Sequence, residues 1–245
     1  MTPTPQIDDQ GLLEKARGCT ARIGRIEHLG QVFWVKREEE LSWRLRLQKG
    51  ASASAFERER RALHQLGGRH PAVPPIVAEG ADFFVLPDAG PSLETLLRRN
   101  RNPDLEADQR HRAFADGGAA LAGFHAKGLT HGRPYLKDVC WNDGDITFLD
   151  FENYRPRRNT IRGHAYDVVI FFFSGLALAG APVRELDIAR QAYRDNDPGG
   201  VWEHAQNLVR KRRWVNWLTK PIQARRGGKA KEFKAIPLTV DWFAK

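Results

Sequence analysis

Between positions 131 and 150 the chain gathers the side chains best suited to chemistry, His131, Arg133, Asp138 and Asp150. Asp138 precedes a short apolar run, Val139-Cys140-Trp141, and Asp150 follows a second, Ile146-Thr147-Phe148-Leu149. The Asn142-Asp143-Gly144-Asp145 segment between them is a strong hairpin signal, because Asp and Gly tolerate the left-handed backbone of a two-residue turn. Such a ribbon brings Asp138 and Asp150 together at its open end, where two carboxylates can share a divalent cation. Arg133 is a permanent cation with no acceptor atom, so it can hold an anion but cannot take a proton.

The elements that must position these groups are legible on either side. Residues 21–28 and 31–37 flank Leu29-Gly30 and read as an antiparallel pair, with Val32-Phe33-Trp34-Val35 leading to Lys36. Taken alone, Lys36 reads as a solvated strand end. The helical stretch 53–66 changes that, because Phe56, Leu63 and Leu66 define its buried face and Glu59 falls on the same face. A buried carboxylate without a partner is costly, and Lys36 is a candidate partner. Residues 76–80 and 83–86 form another strand pair, and Pro87-Asp88-Ala89-Gly90-Pro91-Ser92 breaks the pattern before a helix over 93–98 with Ser92 as its N-cap. A long helix over 106–127 carries Phe114, Leu121 and Phe124 on one stripe and is closed by Gly128. Asp167 stands at the mouth of an apolar helix, and helices follow over 183–195 and 201–220.

In order and spacing these features resemble the protein-kinase superfamily, whose catalytic loop H-x-D-x-x-x-x-N is followed by D-F-G. His131 and Asp150 match that pattern, Asp138 falls on the Asn position, and Arg133 stands where the catalytic Asp belongs. The resemblance covers residues 21–180 and is closest to the lipopolysaccharide core kinases, the heptose and Kdo kinases, and to the small bacterial toluene tolerance proteins. Tyr135-Leu136 after the loop His and the short path from Asp150 to Asp167 resemble that group. It implies an α+β, bilobal kinase-like fold, with a β-rich N-lobe over 1–88, a helical C-lobe over 89–200, and a basic helix and tail over 201–245. It also implies an ATP site: Lys36 on the α/β-phosphates, Glu59 orienting Lys36, and the backbone of Leu86, Pro87, Asp88 and Ala89 meeting the adenine. Mg would be held by Asp150 and Asp138, Asp167 would hydrogen-bond the catalytic-loop backbone, and His131 and Arg133 would shape the acceptor site.

Two departures qualify the expectation. No G-x-G-x-x-G lies between the first strands, where Ile23-Gly24-Arg25-Ile26 offers one glycine, so fewer backbone donors await a phosphate. Arg133 removes the usual base. A general base contributes about 10²–10⁴-fold, whereas phosphoryl transfer rests mainly on positioning and charge neutralisation. Asp138 as an alternative base, or a pseudokinase that binds without transferring, both remain open.

Bulk properties bound the rest. The 245 residues are 41% hydrophobic with seven Trp, ample for a packed core. Cys19 and Cys140 make no disulfide framework, and the N-terminus shows no secretory pattern. The apolar run 168–183 is shorter than the about 20 residues that span a bilayer and reads as a buried helix. The expectation is a cytoplasmic protein, peripheral on the inner membrane if it meets lipid at all.

Net charge is +9, and residues 201–245 hold eleven Lys and Arg against Glu203, Glu232 and Asp241. Arg155, Arg157, Arg158 and Arg162 follow the metal loop and suit an anionic saccharide or lipid-linked sugar acceptor. The tail run Arg210-Lys211-Arg212-Arg213-Trp214, with Trp217 and Leu218 and then Arg225, Arg226 and residues 229–234, fits an anionic inner leaflet. Nucleic acid ranks behind it as a partner, since no nucleic-acid-binding motif is present.

Overall fold

The computed structural model describes residues 9–38, 52–98, 107–223 and 230–244. The class is α+β, and the chain divides into two compact units, Met1–Ala89 with Asp150–Asn153, and Gly90–Leu149 with Tyr154–Lys245.

The first unit is built on a four-stranded antiparallel sheet. After α1 (Asp9–Gly18) come β1 (Ile23–His28), β2 (Gln31–Arg37), α2 (Ser52–Leu66), β3 (Ala78–Glu79) and β4 (Phe83–Pro87). The strand order is β1-β2-β4-β3. Leu29 and Gly30 both take positive φ, 48° and 75°, which is the twist that a two-residue hairpin demands. β2 alternates as a half-buried strand should. Phe33 and Val35 point to one face, where they meet Leu12 and Ala16 of α1 and Phe83 and Val85 of β4. Lys36 therefore lies on the other face, in register with Phe84. That face is covered by α2, whose Phe56 stacks on Phe84 with ring centroids 5.1 Å apart. The strand expected over 76–80 shrinks to two residues.

The second unit contains α3 (Leu93–Arg98), α4 (Ala107–Ala126), the ribbon β5 (Val139–Asn142) and β6 (Asp145–Phe148), then α5 (Ile161–Ala179), α6 (Arg184–Asp195), α7 (Val201–Arg212), α8 (Trp214–Gln223) and α9 (Ala230–Phe243). Ser92 Oγ accepts from the Thr95 amide at 3.2 Å and so caps α3. The Asp143-Gly144 turn has φ of 45° and 105° and closes the β5–β6 ribbon in the register Val139 to Phe148.

α4 and α6 pack so closely that a Cβ on Gly118 would sit 2.2 Å from the Ala189 carbonyl. By length and composition α5 could cross a bilayer. Its Val168, Phe171, Phe172 and Leu176 are fully buried, and it packs on α7 and α9. The helix expected over 201–220 breaks at Arg213, so α8 is a separate element. Glu106, the first residue of the expected long helix, and the tail cations Arg225, Arg226 and Lys229 lie outside the described residues.

Candidate functional site

In the first unit, period-2 alternation along β2 delivers Lys36 to the face that α2 covers. There its Nζ donates to Glu59 Oε2 at 2.5 Å and lies 3.4 Å from Asp150 Oδ1. Glu59 is 2% exposed among Phe56, Ala62 and Leu63. Burial favours the neutral amine of Lys36, but the two carboxylates outweigh it and raise the ammonium above its ordinary range. Burial pushes the Glu59 carboxyl upward, and the ammonium opposes that push. Lys36 is thus a fixed cation. Asp150 takes φ of 65°, a conformation that Asp tolerates better than most residues. It is followed by a 3₁₀ turn, Phe151–Asn153, packed against α2. Arg58 Nε of α2 donates to the Glu152 carbonyl at 3.2 Å, tying the helix to this segment.

Of the four residues expected to meet an adenine, Leu86 to Ala89, two turn their backbone toward β2. The Asp88 amide donates to Val32 O and the Glu38 amide to Asp82 O. Bonded pairs in an antiparallel ladder alternate, so the Leu86 backbone is also turned toward β2. Leu86 and Asp88 are therefore committed to the sheet, and Pro87 has no N–H to give. The opposite edge of β4 is paired only as far as the bond from Val77 N to Val85 O. Beyond it the Pro87 carbonyl and the Ala89 amide come next. Neither takes a hydrogen-bond partner among the described residues. One acceptor and one donor two residues apart is what the edge of a planar heterocycle can pair with.

The β1–β2 connection is the two-residue turn at Leu29-Gly30, too short to fold over a phosphate chain. Among the described residues no group of three or more His, Cys, Asp and Glu side chains gathers to hold a metal.

The second unit holds the loop at 131–138. His131 is fully buried, with Nε2 2.8 Å from the Leu149 carbonyl and Nδ1 accepting from the Arg133 amide at 3.3 Å. It shapes the loop from beneath, through these two bonds, with no surface of its own exposed. Asp167, 1% exposed, accepts from the His131 amide at 2.6 Å and the Gly132 amide at 2.9 Å. Asn159 Oδ1 accepts from the amide and the hydroxyl of Thr130 at 3.0 and 2.8 Å. Asp138 is 7% exposed, its carbonyl accepts from the Leu149 amide, and Lys137 Nζ lies 3.3 Å from its carboxylate. The Arg133 guanidinium lies 5.3 Å from the Tyr135 ring centroid. Asp138 belongs to the second unit and Asp150 to the first.

Beside this loop is an open cavity of about 440 Å³ lined by Gly132, Arg157, Arg158, Thr160, Arg162 and Tyr166, among others. Among the described residues none of the three arginines is in an ion pair with a carboxylate. No model of a known protein family matches the chain. It is similar to an uncharacterized protein of Haemophilus influenzae, 29% identical over 209 residues that span 82% of each chain.

Sequence reasoning missed the supports behind the loop. Asn159 and Ser174, which accepts from the Leu136 amide at 3.1 Å, carry no local signal of that role. His125 did carry one, a histidine beside Phe124 near the end of a buried helical stripe. Its Nδ1 is 2.7 Å from the Tyr193 hydroxyl and its Nε2 is 3.5 Å from Asp167.

Proposed function

We propose that this protein is a kinase-like phosphotransferase that uses Mg-ATP on an anionic saccharide or lipid-linked sugar of the cell envelope. The observation that carries the reading is Lys36, a strand-borne cation clasped by a buried glutamate and by Asp150. A purely structural ion pair needs one carboxylate. The second, Asp150, is partly solvent-reachable and sits on a strained backbone, a combination that marks functional positions.

Within this reading Lys36 holds the α- and β-phosphates, and Glu59 fixes the ammonium so that no reorganisation is needed when they arrive. Asp150 supplies a carboxylate oxygen to the metal ion, and Asp138 is either its second ligand or the base. The Pro87 carbonyl and Ala89 amide pair with the base edge of the nucleotide. When bound, the metal ion neutralises charge on the phosphates. Arg133 cannot accept a proton, so its part is to hold an anionic group. Arg157, Arg158 and Arg162 around the neighbouring cavity suit an acceptor that already carries phosphate or carboxylate.

Isothermal calorimetry of ATP with and without Mg²⁺ tests the site, using wild type, Asp150→Asn and Asp150→Ala. Asn keeps the tolerance for positive φ, so the Asn variant separates loss of the carboxylate from backbone strain. Both variants should lose the Mg-dependent part of binding, by tenfold or more. Absence of binding to the wild type at millimolar ATP would sink the enzyme reading. Arg133 favours one second reading, a non-catalytic member of the same fold. It is distinguished by Mg-ATP binding that persists with no phosphate transfer to any envelope glycan.

A further inference from the structure

α8 (Trp214–Gln223) turns Val215, Thr219 and Ile222 toward the protein, yet its largest apolar side chains face away from it. Thr219 is 8% exposed and its hydroxyl is bonded to the Val215 carbonyl at 2.7 Å. Trp214, Trp217 and Leu218 are 60%, 73% and 58% exposed. With Pro221, also exposed, they fall at i, i+3, i+4 and i+7, which makes one continuous stripe. Of the seven large hydrophobic residues exposed among the described residues, three lie within positions 214–218. Scattered apolar residues need no explanation, but a clustered stripe does.

The surroundings of the stripe identify what covers it. Arg210, Lys211, Arg212, Arg213 and Lys220 are all exposed at its start and flank. None is in an ion pair among the described residues; Arg210 is bonded to Asn207 and Arg212 to the Tyr166 hydroxyl. A second copy of the chain would bring the same five cations against themselves in a two-fold contact. A single-stranded nucleic acid would find bases to stack on two indoles, but nothing to match Leu218 and Pro221 between and beside them. An anionic bilayer satisfies both halves at once, with acyl chains for the stripe and lipid phosphates for the cations.

We infer that α8 docks this protein on an anionic membrane surface, lying in the plane of the interface. Trp214, Trp217 and Leu218 enter the headgroup–acyl boundary, while Arg213 and Lys220 pair with lipid phosphates. This docking does not depend on phosphate transfer, and its test needs no nucleotide. Full-length protein is co-sedimented with phosphatidylglycerol–phosphatidylethanolamine vesicles and with phosphatidylcholine vesicles. Two double variants, Trp217→Ser with Leu218→Ser and Arg213→Gln with Lys220→Gln, are run beside it. All four side chains are exposed, so both variants should melt as the wild type does.

The wild type should bind the anionic vesicles at least tenfold more tightly than the neutral ones. Each variant should lose at least tenfold of that affinity, and added salt should weaken the wild type further. Equal binding by the wild type and the Trp217→Ser/Leu218→Ser variant would overturn the assignment. Failure of the wild type to bind anionic vesicles overturns it too, whether sedimentation then reveals a dimer broken by that variant or single-stranded RNA proves the ligand.

Discussion

Lys36 shows how one buried residue can be forced into a functional posture. An ammonium removed from water needs at least one carboxylate, and breaking such a pair from one side is strongly destabilising, by about 3–5 kcal/mol. Glu59 meets that need at 2.5 Å. Asp150, at 3.4 Å from Lys36, is the carboxylate that the fold can spare for a ligand. A different residue, His164, sets the acid limit of the second unit. It is 8% exposed, its ring stacks on His125 at 4.6 Å, and burial, aided by His125, lowers its pKa from 6.5 to about 4. The unfolded chain therefore binds the extra proton between pH 6.5 and about 4. Stability from this group is complete above pH 6.5 and declines as the solution is acidified toward pH 4. The slope is at most about 1.4 kcal/mol per pH unit, and smaller where water reaches the ring. Urea midpoints across that range should fall for the wild type and fall less steeply for His164→Gln. Parallel slopes would remove His164 from the account.

At the scale of elements, the α4–α6 contact offers a paired experiment. Gly118→Ala puts a methyl 2.2 Å from the Ala189 carbonyl, whereas a methyl at Gly123 on the same helix would meet nothing within 4 Å. The first change should destabilise by about 1–3 kcal/mol through overpacking. The second should stabilise by up to about 1 kcal/mol, because alanine loses less entropy in a helix. Thermal unfolding of the two variants decides it, and the same sign for both would refute the close approach. Elements like these were legible where the signal is local. The Asp143-Gly144 turn, the Ser92 cap and the Gly128 stop each depend on a few adjacent residues, and Lys36 stands out once Glu59 falls on the buried face of the next helix. What could not be read is tertiary. Asp167 stood out as an acid at the mouth of an apolar helix, and its bonds to the His131 and Gly132 amides are those the resemblance implied, but Asn159 holds Thr130 from about thirty residues away with nothing in its neighbourhood to mark it. The partners of Leu86 and Asp88 depend on which edge of β4 meets β2. The stripe of α8 has the periodicity of a buried face, and only packing reveals that Thr219 is buried instead.

At the scale of the molecule, the first unit is discontinuous, since it includes Asp150–Asn153 from far along the chain. That short segment carries two things the rest of the unit lacks. Phe151 is fully buried, in the turn that packs against α2, and Asp150 is the second carboxylate beside Lys36. Removing a buried phenylalanine costs about 3–5 kcal/mol, against a total stability of about 5–15 kcal/mol for a whole domain. A unit of this size sits at the low end of that range, because small domains bury a smaller share of their surface. A fragment of residues 1–89 should therefore show no cooperative thermal transition by circular dichroism, while the full chain does. Joining residues 150–153 to that fragment through a flexible linker should recover part of the transition, and the Phe151→Ala form of the same fusion should not. A sharp transition in the bare 1–89 fragment would mean that the sheet and α2 stand without the segment. In that case Asp150 would be an accessory of the first unit and not one of its structural parts.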